Sequence, residues 1–151
     1  MNKATDPDFF SLLSNSYFGL TKKPLVPGQQ DARTAARWLY EDAPFALLAH
    51  NTDADPCFIY ANKTAQACFE YSWDEFTALP SRFSAEMPDR EERQRLLDTA
   101  ARDGYISDYR GIRVAKSGRR FHVDNVTLWQ LIDGQGKLHG QAALIPDWRN
   151  V

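Results

Sequence analysis

Cys57 to Phe76 is the stretch that most restricts what this chain can fold into. It opens on a short apolar run, Cys57 to Ala61, of aromatic and branched residues that suit a strand and are too few for a helix. Asn62 ends that strand, and its side chain is placed to cap a helix beginning at Lys63. A second start signal follows at once. Ser72 and Glu75 have capping-box spacing, in which each side chain satisfies the other's free backbone amide, and Tyr71 and Phe76 stand where a hydrophobic staple would. The expected order is strand, asparagine, short helix, capped turn, short helix.

The remainder is read outward from that segment. Asp6 caps a first helix that Pro7 opens, with Phe9, Phe10, Leu13 and Tyr17 on one face before Gly19. Thr21 to Gln30, carrying Pro24, Pro27 and Gly28, reads as an extended connector. A second helix runs from Asp31 to about Asp42 on an apolar face of Ala35, Trp38 and Leu39, and Pro44 stops it. Phe45 to about Asn51 is the first strand, and Asp53-Ala-Asp55-Pro56 turns into the next. Leu79 to Met87 reads as irregular. Asp89 and Glu92 then repeat the capping-box spacing, opening a helix whose Leu96, Leu97, Ala100 and Ala101 face the core until Gly104. The Arg-Glu run over 90–95 reads as its solvated face.

The last third is strands. Ser117-Gly118 reads as a two-residue hairpin loop, which pairs Val114 with Phe121, Ile112 with Val123, Arg113 with His122 and Arg110 with Asn125. Apolar pairs then alternate with a polar one, as a half-buried sheet requires. Past Asn125 both faces of the strand turn apolar, Val126, Leu128 and Ile132 on one and Trp129 and Leu131 on the other. The outer face therefore needs a cover, supplied by the N-terminal helices or by a second subunit. Asp133-Gly-Gln-Gly136 makes a final hairpin into Leu138 to Ile145.

Two strands, helices, then three strands is the order of a PAS domain. Tyr60-Ala-Asn62, Ala65, Phe69 and Tyr71-Ser-Trp-Asp-Glu-Phe76 resemble the first half of that fold. With Ala36-Arg-Trp-Leu-Tyr-Glu-Asp-Ala-Pro-Phe45 upstream and Pro80-Ser-Arg-Phe-Ser-Ala85 downstream, the chain resembles the PAS-related MEKHLA family from about residue 8 to its end. That family occurs as small bacterial proteins and at the C-terminus of some plant homeodomain proteins. The resemblance implies an α+β, PAS-like domain over residues 44–151, an antiparallel five-stranded sheet with helices on one face. An N-terminal helical extension, residues 1–43, joins it in a single unit. It implies a fold and no activity.

At 151 residues the chain has the length of one domain with a real core. Its formal charge of −2 offers no basic stripe, so no nucleic-acid partner is expected, and the DNA link of the plant relatives is not carried over. Its apolar runs fall far short of the roughly 18 residues of a membrane span, and Asp6 and Asp8 make the N-terminus unlike a signal peptide. A cytoplasmic protein that does not enter membranes is expected.

Catalytic and metal chemistry find little support. Cys57 and Cys68 match no metal spacing and read as small buried fillers. Light-sensing flavin relatives of the PAS fold use a cysteine in an Asn-Cys-Arg-Phe-Leu-Gln motif. The nearest stretch here, Pro80 to Ala85, has none, which disfavours covalent flavin photochemistry and leaves reversible flavin binding open. Haem-binding relatives take a histidine from the long helix, and residues 89–103 contain none; His50, His122 and His139 fall on strands or strand ends. The cofactor is left unknown and no metal is expected. No nucleophile elbow or H-E-x-x-H motif is present, and Asp74, Glu75, Asp89, Glu91 and Glu92 sit in first helical turns, where the helix dipole explains them. Glu70, between Phe69 and Tyr71, reads as a surface residue. A non-enzymatic module is expected.

What remains is a cavity between sheet and helices. Phe58, Tyr60, Phe83, Leu97, Arg110, Ile112, Val114, Phe121, Val123 and Asn125 are its candidate lining. One reading is a sensor holding a small, mostly apolar ligand and acting on a separate output protein. The alternative is a ligand-free interaction domain forming a homodimer through Phe9, Phe10, Leu13 and Trp129.

Overall fold

The computed structural model describes residues 3–28 and 30–151, so Gln29 of the connector lies outside the described residues. Helix α1 (Pro7–Thr21) starts where Asp6 accepts a hydrogen bond from the Asp8 amide at 3.0 Å and continues through Gly19 to a left-handed Lys22. Helix α2 (Ala32–Glu41) starts where Asp31 accepts from the Thr34 amide at 2.8 Å and stops just before Pro44, as the proline rule requires. Strands β1 (Ala46–His50) and β2 (Phe58–Ala61) lead into α3 (Lys63–Phe69) and α4 (Trp73–Phe76). Both halves of the Ser72–Glu75 capping box are formed. A 3₁₀ turn over Ser81–Ser84 precedes α5 (Met87–Asp103). That helix is capped three residues earlier than its Asp89 signal, at Glu86, which makes no side-chain cap.

Strands β3 (Tyr105–Val114), β4 (Arg120–Ile132) and β5 (Leu138–Ile145) complete an antiparallel sheet in the order β2-β1-β5-β4-β3. A sixth strand, β6 (Asp147–Asn150), continues β5 along β4 in unchanged register: Thr127 faces Leu144 and Asp124 faces Asp147. Pro146, which has no N–H to give, separates the two.

Each face of the sheet carries its own core. α1 and α2 cover the outer face, burying Leu13, Tyr17, Leu39, Leu47, Tyr60, Trp129 and Leu131. The inner face packs on α3–α5 through Phe58, Phe69, Phe76, Leu97, Phe121, Val123, Val126 and Leu128. The two-faced apolar character of β4 is thus met within one chain. Phe9, Phe10, Leu13 and Trp129, expected at an interface between copies, are at most 9% exposed and belong to the intramolecular core.

The β3–β4 loop corrects the expected register. It holds three residues, Lys116-Ser117-Gly118, closed by Ala115 N–H to Arg119 O and Gly118 N–H to Ala115 O, both 2.9 Å. A two-residue loop of the favoured type needs positive φ at Ser117 as well as at Gly118. Gly118 alone has it, at φ 92°. The tip is tied to α3 by Lys116 N–H to Phe69 O and by Ser117 N–H to Glu70 Oε1, both 3.0 Å. Arg113 therefore faces Phe121, Ile112 faces His122 and Gly111 faces Val123. A one-residue slip inverts a strand's faces. Ile112 and Val114, expected inward, lie half-buried on the other side, and Tyr109, Gly111 and Arg113 turn inward instead. Bulges at Asp108 and Asn125, both at φ 57°, offset each other further along. Arg110 and Asn125, also expected inward, are exposed: Arg110 stands 4.0 Å from Asp124, and Asn125 donates to Asp147 at 3.3 Å.

Candidate functional site

The inner face of β3 presents Tyr109, Gly111 and Arg113 in succession. Gly111 matters because a Cβ there would lie 2.1 Å from the Tyr109 hydroxyl. Its absence lets the Tyr109 ring lie back along the strand, where its Oη accepts from Arg113 Nη2 at 3.1 Å. Arg113 Nη1 donates to the Ile112 carbonyl at 2.7 Å. Helix α5 contributes Leu97 and, one turn earlier, Arg93, whose Nη2 donates to Ser81 Oγ at 2.9 Å. Arg93 is 8% exposed and Arg113 9%, so the expected solvated face over 90–95 is broken at Arg93.

These groups surround a partly enclosed cavity of about 40 Å³ within the inner core. Its polar lining is His50, Ser84, Arg93, Tyr109, Arg113 and Gln141; its apolar walls include Phe58, Phe69, Leu97, Val123, Val126 and Ile145. Of the residues expected to line it, Phe58, Leu97 and Val123 do so, while Phe121 is buried in the same core outside the lining. Tyr60 is on the opposite face. β1 pairs His50 with Phe58 and Ala49 with Tyr60, leaving Ile59 as an extra residue that turns the two rings apart. Phe83 is 39% exposed beneath the guanidinium groups of Arg82 and Arg90, so it closes nothing.

Ion pairs among the described residues engage Arg82, Arg95, Arg102, Arg110, Arg119, Arg120, Arg149, Lys116 and His139, and neither Arg93 nor Arg113. Burial, helped by the neighbouring Arg113 charge, lowers the Arg93 guanidinium to about 10. Asp74, Glu75, Glu91 and Glu92 are exposed, whereas Asp89 and Glu70 are half-buried, and Glu70 pairs with Arg119 at 3.1 Å. Burial pushes the Cys68 thiol up to about 12, which keeps it protonated and unreactive. Cys57, expected to be buried, is only half-buried.

An open groove of about 350 Å³ adjoins the cavity and shares His50, Leu97 and Gln141 with it. Gln141 Nε2 donates to the Leu97 carbonyl at 3.0 Å across this shared wall. His50 Nδ1 lies 2.9 Å from the Asn51 carbonyl, which can only accept, so Nδ1 carries the proton and the buried Nε2 is left as an acceptor beside the Gln141 side chain.

Burial holds His50 below its ordinary value of 6.5; the bond to Asn51 and the side chain of Gln141 oppose this, and the Arg93 charge adds to it. As pH falls below 6.5, the unfolded chain takes up a proton that the folded chain refuses, so stability is lost on the acid side. This histidine's share of the loss is at most about 1.4 kcal/mol per pH unit. Urea midpoints at about pH 7.5 and about pH 5.5 should fall less for His50→Gln than for wild type. Equal falls would show that His50 is not the group responsible.

A comparison with curated proteins returns no match. Among solved structures, the chain is similar to the PAS domain of a Colwellia psychrerythraea protein, with TM-score 0.67 and 13% identity over 79% of this chain and 95% of that one. It is similar to an RNA-binding light-oxygen-voltage receptor, with TM-score 0.67 and 18% identity over 85% of this chain and 36% of the receptor. It is also similar to the light-state dimer of the fungal blue-light photoreceptor Vivid, with TM-score 0.62, 15% identity and 95% of each chain covered. Likenesses at such identities establish the PAS-like fold. No helix among the described residues is long and apolar enough to cross a membrane. The model of the MEKHLA domain matches residues 7–150, and this protein belongs to the MEKHLA domain family.

Proposed function

We propose that this protein is a non-enzymatic sensor module whose small ligand occupies the cavity between the inner face of the sheet and helices α3–α5. The observation that carries this reading is the cavity itself: unfilled space inside an otherwise packed core, with its lining of buried polar groups. Interiors normally close such space, because unmade contacts cost stability. At about 40 Å³ it has room for about three waters or a ligand of a few non-hydrogen atoms, and not for a flavin ring system.

The response passes through the sheet. Adjacent strand residues serve opposite faces, so a shift of Leu48 or Leu128 at the inner core moves Leu47 and Trp129 at the outer one. There the Tyr17 ring of α1 meets Trp129 edge-on at 4.8 Å. Repacking of α1 is the output, read by a separate protein.

Native mass spectrometry, compared with the denatured mass, tests this reading. The native protein should retain a small mass that Val126→Phe, which fills the cavity, removes. A bare protein that no small molecule stabilises saturably would overturn it.

A further inference from the structure

We propose that the ligand of this cavity is a compact organic carboxylate, its anionic group held between Arg93 and Arg113 and its apolar body against Val126 and Leu97. This rests on the cavity being a ligand site and adds the chemistry of what fills it. Two guanidinium groups from different elements, α5 and β3, are brought together at nine-tenths burial in a chain of formal charge −2. Such charges are normally buried beside a carboxylate, since an unpaired one costs several kcal/mol of desolvation.

Their present partners are the hydroxyls of Ser81 and Tyr109 and one backbone carbonyl. These are neutral acceptors that orient the guanidinium groups without cancelling their charge. Tyr109 is itself positioned by the missing side chain of Gly111, so the strand is shaped to hold Arg113 in place. A carboxylate completes both arginines with paired, charge-assisted hydrogen bonds. The aliphatic walls suit an organic anion better than a fully hydrated inorganic one. Asp53 and Asp98 line the adjoining groove, and no carboxylate among the described residues lines the cavity.

The test is thermal unfolding and titration calorimetry of the whole chain with sodium acetate, propionate and butyrate. Acetamide, propionamide and sodium phosphate are run beside them at matched ionic strength. At least one carboxylate should raise the melting temperature saturably, its amide should not, and Arg113→Gln should weaken binding roughly tenfold or more. Arg93→Met should also lose binding, yet melt a few degrees higher than ligand-free wild type, because it removes an uncompensated buried charge. That rise separates lost binding from lost folding.

If carboxylate and amide stabilise equally, or only the amide does, the charge assignment falls and the cavity reading stands. If phosphate alone binds, the carboxylate assignment likewise falls. If no probe binds and the native mass is bare, both fall together.

Discussion

Asn62→Leu is expected to lower folding stability by about 4 kcal/mol or more, because the asparagine is far more than a helix cap. Its side chain is fully buried and makes four hydrogen bonds. Oδ1 accepts from the amides of Ala65 and Leu47, each at 3.0 Å. Nδ2 donates to the carbonyls of Leu39 at 3.1 Å and Phe45 at 3.0 Å. One residue thus joins the end of α2, the start of β1 and the start of α3. Leucine fits the volume and strands the backbone groups of all three, each costing about 1–3 kcal/mol when buried without a partner. The informative companion is Asn62→Ser, which can still cap α3. Were capping its whole role, serine would be almost neutral. We expect it instead to lose most of what leucine loses, read from urea unfolding followed by tryptophan fluorescence.

Gly140→Ala is expected to cost on the order of 3–5 kcal/mol for a different reason. Gly140 sits at φ 148°, and a Cβ there would stand 1.9 Å from the His50 carbonyl oxygen and 3.2 Å from the Asn51 Cα. Both obstacles are backbone, so relief requires β5 and the end of β1 to separate. That displaces His50 and Gln141, the wall between cavity and groove. Gly19→Ala is the control. It lies inside α1 with nothing within 4 Å of its new methyl group, and should gain up to about 1 kcal/mol from helix propensity. Circular dichroism melts of the two variants should move in opposite directions.

What could be read from residue order is what local chemistry decides. The Asn62 cap, the Ser72–Glu75 box, the stop before Pro44 and the two-faced apolar run of β4 each follow from neighbours in sequence, and each is present. The cavity lining was less legible because it depends on register. Serine before Gly118 is a poor residue for positive φ, and a three-residue loop read from that fact places Tyr109, Gly111 and Arg113 inward. Arg93 stands four and seven residues before Leu97 and Ala100, on the same helical face; its charge hid a spacing that already pointed to the core. The extra residue at Ile59 and the paired bulges at Asp108 and Asn125 are set by cross-strand fit, and no local signal announces them.

The most direct test of the central claim is the arginine side-chain Nε–Hε NMR spectrum titrated with sodium propionate. The resonances of Arg93 and Arg113, with the backbone amides of Gly111 and Gln141, should shift together and saturate, while exposed arginines such as Arg95 and Arg102 stay in place. Shifts that rise linearly and are shared among exposed arginines, with Arg93 and Arg113 unmoved, would contradict a ligand-binding cavity built around these two residues.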